Sequence, residues 1–151
     1  MSTFTWASHA PFFDRLCEPV SASSPGRLLR GADLKASLAR DLARLLNTRN
    51  GQTIDEALGG ESSVLTYGIP DILALGVQPD GGQLLADLVQ RAIASFEPRL
   101  REVTVQASPE DRCPDHVRLS ITASVAVGRQ LQRVDFDVAL DQAATVQALP
   151  A

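Results

Sequence analysis

Cys113 and His116, in the run Cys-Pro-Asp-His, place a thiol and an imidazole close together. Such a pair could form an activated thiolate nucleophile or half of a metal site. A zinc site needs about four ligands, and no second cysteine–histidine pair completes one. The sequence also has no Gly-x-Ser-x-Gly motif and no glycine-rich phosphate loop. We therefore interpret Cys113 and His116 as part of a solvated loop, and we expect no metal and no cofactor.

Glu97, Pro98 and Arg99 form the most distinctive local motif, at the point where a helical pattern gives way to a strand pattern. Pro98 fixes the backbone between two opposite charges, which constrains their relative direction. Glu97 as a general acid would need a second carboxylate roughly 5 to 9.5 Å away, and the nearby Glu102 is predicted to lie on the polar face of a strand. Two interpretations remain: a structural Glu97–Arg99 ion pair, or a rigid docking site for another protein.

Two helices must position this motif. The first is predicted to begin at Asp33, whose carboxylate can cap the first turn, and to end near residues 47–51. Its apolar stripe lies opposite Arg40 and Arg44 and consists of leucines, namely Leu34, Leu38, Leu42, Leu45 and Leu46. Residues 51–71 are interpreted as a loop with a turn.

The second helix follows the run Pro-Asp-Gly-Gly at residues 79–82. Its apolar residues cover about half of the circumference, which predicts a central helix packed on two sides. Because proline disfavours helical geometry in the residue before it, this helix must stop near Glu97.

After residue 100 the apolar residues change from helical spacing to alternation, which predicts strands around residues 102–107, 118–127 and 134–140. A polar loop at 108–115 separates the first two, and a short turn with Gly128 joins the last two as a hairpin. Helices followed by strands indicate an α+β fold, with two main helices on one face of a small antiparallel sheet. Residues 1–30 are interpreted as an irregular arm carrying a short docking segment at 12–16, residues 31–142 as one domain, and residues 143–151 as a tail.

The composition fits one ordinary domain. The 151 residues are 44% hydrophobic with a net charge of −4, which excludes a wholly disordered chain. No apolar run suggests a membrane span and no secretory signal is visible, so we expect a cytoplasmic protein without membrane insertion. An estimated pI near 5.1 argues against nucleic acid as a partner.

The charge is unevenly distributed along the chain. Residues 26–49 carry six basic and two acidic residues, whereas residues 50–90 carry six acidic residues and no basic one. Adjacent blocks of opposite sign indicate either internal pairing or separate surfaces for partners. The sequence leaves both open.

Four motifs in sequence order resemble the TssE family, the small baseplate subunits of bacterial type VI secretion systems. They are Phe-Asp-Arg-Leu at 13–16, Leu-Leu-Asn-Thr-Arg at 45–49, Ser-Val-Leu-Thr-Tyr-Gly-Ile-Pro-Asp at 63–71, and Phe-Glu-Pro-Arg-Leu at 96–100. The resemblance runs from about residue 12 to residue 140. The family is similar to a wedge protein of contractile-tailed phage baseplates.

The resemblance implies a non-enzymatic baseplate component in a complex docked at the inner face of the inner membrane. Residues 31–142 would be a wedge-like domain that binds the wedge subunits TssF, TssG and TssK, and the C-terminal hairpin would template the sheath subunits TssB and TssC. The expected partner-binding residues are those of the shared motifs: Glu97, Pro98, Arg99, Tyr67, Asp71, Asp14 and Arg15. The alternatives are a lysozyme-like cell-wall hydrolase and a regulatory adaptor of the same fold.

Overall fold

The computed structural model describes residues 8–9, 28–29, 31–72, 81–110, 113–127, 130–140 and 146–149. Within these ranges the helices are α1 (Gly31–Asn47), α2 (Ile54–Gly59) and α3 (Gly81–Phe96), with a 3-10 helix at Val64–Thr66. The strands are β1 (Ser8–His9), β2 (Leu28–Leu29), β3 (Leu100–Glu110), β4 (Cys113–Val127), β5 (Gln130–Leu140) and β6 (Val146–Leu149). The predicted docking segment at 12–16 lies outside the described residues.

Strands β3 to β6 form one antiparallel sheet in the order of the sequence, and β1 pairs with β2 separately. Helix α3 lies against β3, while α1 contacts both α3 and β6. The buried residues of the sheet, such as Ile121 and Phe136, share one apolar core with the leucines of α1 and α3. The predicted α+β class is therefore confirmed. None of the helices in the described ranges is long and apolar enough to cross a membrane.

Helix α1 buries its predicted stripe: the five leucines are at most 4% exposed, whereas Arg40 and Arg44 are exposed. The predicted start is wrong by two residues, because the helix begins at Gly31 rather than at Asp33. Gly31 has a φ of +46°, a left-handed conformation that glycine adopts at little cost. Asp33 consequently lies inside the first turn, where its charge still favours the positive end of the helix dipole.

Helix α3 confirms the prediction of a helix packed on two sides, since it contacts α1 and α2 as well as β3. It ends at Phe96. The Glu97 amide still donates to the Ile93 carbonyl at 2.9 Å, and the Leu100 amide then donates to the Glu97 carbonyl at 3.0 Å. These two hydrogen bonds close the turn that connects α3 to β3.

The predicted loop at 51–71 contains two short helices, α2 and the 3-10 helix. Thr53 begins α2 through a capping box, in which its hydroxyl accepts from the Glu56 amide at 3.3 Å and the Glu56 carboxylate accepts from the Thr53 amide at 2.8 Å. The spacing Thr-x-x-Glu was the available sequence signal for this start.

The strands are longer than predicted. The loop expected at 108–115 shrinks because β3 extends to Glu110 and β4 begins at Cys113, so the backbone of Cys113 and His116 lies in a strand. The hairpin of β4 and β5 is confirmed, with Val127 paired to Gln130. Residues 146–149, predicted to lie in a tail, add a fourth strand that pairs with residues 137–140 of β5.

Candidate protein-interaction site

A three-residue ion cluster, which we call the Arg99 cluster, occupies the turn between α3 and β3. The Arg99 guanidinium donates to both Glu97 carboxylate oxygens, from Nε at 2.7 Å and from Nη2 at 2.5 Å. The same Nη2 also donates at 2.6 Å to Asp41 of helix α1, which is 58 residues earlier in the sequence. One guanidinium therefore joins the end of α3 and the start of β3 to the middle of α1.

The cluster is largely withdrawn from solvent. Glu97 is 6% exposed, and the side chains of Arg99 and Asp41 are about one-fifth exposed. The pKa of Arg99 is raised above its usual value, chiefly by the hydrogen bond to Glu97 and against the opposing effect of burial. Pro98 lies outside the cluster and is exposed. This geometry supports the interpretation of a structural ion pair, while docking through residues 97–99 stays a prediction.

Tyr67 lies beside this cluster. Its ring packs edge-on against Phe96, with centroids 5.3 Å apart and an interplanar angle of 66°. Burial raises the pKa of the Tyr67 phenol, and the charges of Asp41 and Glu97 raise it further. The structure thus brings the motif at 63–71 next to the motif at 96–100, while the predicted role of Tyr67 in partner binding stays a prediction.

The segment around Tyr67 is fixed to the end of α1 by backbone contacts. Ile69, fully buried, donates its amide to the Thr48 carbonyl at 3.0 Å, and Asn50 donates its amide to the Ile69 carbonyl at 3.0 Å. Gly68 makes this approach possible, because it has a φ of +108° and a Cβ there would collide with the Thr48 carbonyl. The motif at 63–71 is consequently rigid at its C-terminal half.

Asp71 is not part of the Arg99 cluster. Asp71 is exposed and lies close enough to Arg49 that its charge raises the pKa of Arg49, although burial lowers that pKa by more. Asp14 and Arg15 lie outside the described residues, so their predicted role in partner binding stays a prediction.

Asp41 is the functional-site residue that sequence reasoning missed. It lies on the polar side of α1 and also accepts a hydrogen bond from Arg44 at 3.2 Å, which is the ordinary i,i+3 pairing on a helix. Its contact with Arg99 spans 58 positions, and no local spacing encodes such a contact.

The structure brings a second carboxylate, Asp41, close to Glu97, but the Arg99 guanidinium lies between the two and binds both. Glu102 accepts from the Ser124 hydroxyl at 2.9 Å on the sheet, while both oxygens of Glu97 are bound by Arg99. In the described residues no group of three or more His, Cys, Asp or Glu side chains could hold a metal ion. The side chains of Cys113 and His116 are outside the described set.

Comparison with known proteins identifies the family and the fold of this chain. A family model described as "Baseplate wedge protein gp25" matches residues 32–130. A solved chain from "The baseplate complex from the type VI secretion system" has a TM-score of 0.50 and 18% identity, over 78% of this chain and 95% of that chain, which shows a shared fold. No curated protein matches. The family model spans well over half of the sequence, so the predicted resemblance is confirmed and this chain belongs to the baseplate wedge protein gp25 family of structural baseplate components.

Proposed function

We propose that this chain is a non-enzymatic structural subunit of a type VI secretion baseplate. In this proposal it docks on the wedge subunits TssF, TssG and TssK through residues 97–99, and it templates the sheath subunits TssB and TssC with its sheet. The complex would lie in the cytoplasm at the inner face of the inner membrane. The observation that carries the proposal is the Arg99 cluster, which holds an exposed proline at a fixed corner of a baseplate-family fold.

Docking at this corner is supported by its rigidity. Three charge-assisted hydrogen bonds fix the guanidinium, and two backbone bonds fix the turn. A surface that is already ordered before binding loses little conformational entropy when a partner arrives. Pro98 and the exposed fraction of Arg99 are the atoms that a wedge subunit would contact, whereas Glu97 would hold Arg99 in place.

Templating is supported by the unequal edges of the sheet. Strand β3 is interrupted by a bulge between Arg101 and Thr104, and the Val105 amide donates to the Gln90 side chain of α3 at 3.3 Å. At the other edge, β6 covers only residues 137–140 of β5, and no described strand pairs with residues 130–136 on the side of β5 away from β4. Because an unpaired strand offers N–H and C=O groups to an incoming strand, we assign templating to the β5 side.

A cell-wall hydrolase is the weaker proposal, because Glu97 is committed to Arg99 and Glu102 to the sheet. A turnover assay on purified cell wall decides this alternative: activity abolished by Glu97→Gln would establish it. Co-purification decides between a baseplate subunit and an adaptor, since a baseplate subunit should bring down wedge and sheath proteins.

Pro98 gives the cleanest test of docking because its side chain is exposed and none of the hydrogen bonds of the Arg99 cluster involves it. We expect Pro98→Asp to fold normally by circular dichroism and to lose co-purification with TssF and TssG. Pro98→Ala is the matched control, since it makes the same backbone change with little alteration of the surface, and it should retain binding. If Pro98→Asp binds these subunits as well as the unchanged chain, docking through residues 97–99 is wrong.

A further inference from the structure

Val64 and Leu65 are the most exposed large apolar side chains in the described residues, at 90% and 89%. They are adjacent in the 3-10 helix and project from the segment that connects α2 to Tyr67. The other large apolar residues of the described part are mostly buried, with Leu131 on β5 the next most exposed at 55%. We call this pair the Val64–Leu65 knob.

The knob is held in one conformation by its own caps. The Ser63 hydroxyl accepts from the Leu65 amide at 3.3 Å, and the Thr66 hydroxyl accepts from the Ser63 amide at 2.9 Å. The Asn50 side chain donates to the Thr66 carbonyl at 2.9 Å. A pair of apolar side chains that is both fully exposed and pre-ordered has the properties of an anchor at a protein interface.

The charges near the knob indicate which kind of pocket on a partner protein could bind it. Residues 50–72 contain four acidic residues and no basic one, and all four acidic side chains are exposed, namely Asp55, Glu56, Glu61 and Asp71. Arg91 of α3 donates to the Gly60 carbonyl of this segment at 2.6 Å, and Arg49 lies near Asp71, but the exposed charges of the segment itself are acidic. They favour a partner pocket that is apolar at its centre and lined by Lys or Arg at its rim. A symmetric contact between the knobs of two copies of this chain is disfavoured, because the two acidic segments would face each other.

We propose that the Val64–Leu65 knob is a second docking site, which inserts into an apolar pocket with a basic rim on a wedge subunit. This proposal rests on the proposed baseplate function and adds a binding surface to it. The knob continues into Tyr67, which is 38% exposed and packs on Phe96, so the knob and the Arg99 cluster can contact one continuous partner surface.

The test is the affinity of the full chain for co-expressed TssF and TssG, measured by titration calorimetry. We expect Leu65→Asp to weaken binding roughly 30-fold or more, as burial of an anchor residue implies. Leu131→Asp is the matched control, since it makes the same change at another exposed leucine, and it should bind as the unchanged chain does. Leu65 is almost entirely exposed, so Leu65→Asp should unfold at the same temperature as the unchanged chain, and circular dichroism checks that both variants are folded.

The outcomes separate the knob from the baseplate function. Equal binding by Leu65→Asp and the unchanged chain would overturn the knob and leave the baseplate function standing. Failure of the unchanged chain to bind TssF and TssG would overturn the baseplate function, and the knob with it. Self-association that Leu65→Asp abolishes would overturn the choice of a wedge subunit in favour of a second copy.

Salt dependence tests the basic rim separately. We expect the affinity of the unchanged chain to fall with added NaCl, and the double variant Asp55→Asn with Glu61→Gln to show a smaller fall. An affinity that does not change with salt would overturn the basic rim.

Discussion

Replacement of Arg99 by alanine should destabilise the isolated chain, because it leaves Glu97 without its cation and leaves Asp41 with only Arg44. Glu97 loses two charge-assisted hydrogen bonds and Asp41 loses one. Glu97 is the costlier of the two, since its side chain is only 8% exposed and water cannot replace the guanidinium.

The expected loss of unfolding free energy follows from the burial of Glu97. Removing one partner of a buried ion pair costs about 3–5 kcal/mol, and the partial exposure of Arg99 and Asp41 places this case near the lower end, at about 3 kcal/mol. For a chain of this length, each kcal/mol lowers Tm by about 2–4 °C, so a fall of about 6–12 °C is expected. In a double-mutant cycle with Glu97→Ala, the two substitutions should be less than additive by about 2 kcal/mol.

Urea unfolding followed by circular dichroism measures this effect, with Arg133→Ala as the control. Arg133 also pairs with a carboxylate, Asp135, at 3.2 Å, but the two side chains are 73% and 62% exposed. Such an exposed pair contributes little to stability, so Arg133→Ala should unfold almost as the unchanged chain does. If Arg99→Ala also unfolds within about 0.5 kcal/mol of the unchanged chain, the Arg99 cluster does not hold the corner.

Three further predictions concern the segment between α1 and α3. Gly68→Ala should cost about 2–4 kcal/mol of unfolding free energy because of its positive φ and the collision with a carbonyl, whereas Gly51→Ala, which has open space, should cost little in the same urea assay. Tyr67 is the sole tyrosine, so the ultraviolet titration of tyrosinate should show a midpoint above 10.0 that Asp41→Asn lowers. Since the folded state keeps this proton longer, unfolding free energy should fall as pH rises above 10.0, and Tyr67→Phe should lack that fall. Thr53→Ala should remove the cap of α2 and cost about 1 kcal/mol, seen as faster amide exchange in residues 54–59.

The sequence was sufficient for features that repeat at a fixed spacing. The leucine stripe of α1, the end of α3 before Pro98 and the hairpin of β4 and β5 each depend on neighbours a few positions apart. The predicted start of α1 is wrong because the helix begins at Gly31 in a left-handed conformation. The sequence does not show which glycines adopt a positive φ. Strand β6 was missed because its four residues gain their structure from pairing with β5.

The sequence predicted individual residues of the candidate site but not the contacts that bring them together. Glu97 and Arg99 stand out because proline separates two opposite charges, and Tyr67 stands out through the family motif. Asp41 joins them only when α1 packs beside α3, a long-range contact that local patterns do not encode. The exposure of the Val64–Leu65 knob could not be predicted from the sequence either, since large apolar residues are normally expected to be buried.

The most direct test of the central claim is sheath assembly in living cells. In a strain that lacks this chain, fluorescently labelled TssB should form no extended sheaths, and the unchanged chain should restore them. We predict that Pro98→Asp, produced at the same level and folded, restores none, while Pro98→Ala restores them fully. Normal sheaths in the strain that lacks this chain would contradict the proposed role as a baseplate subunit that templates the sheath.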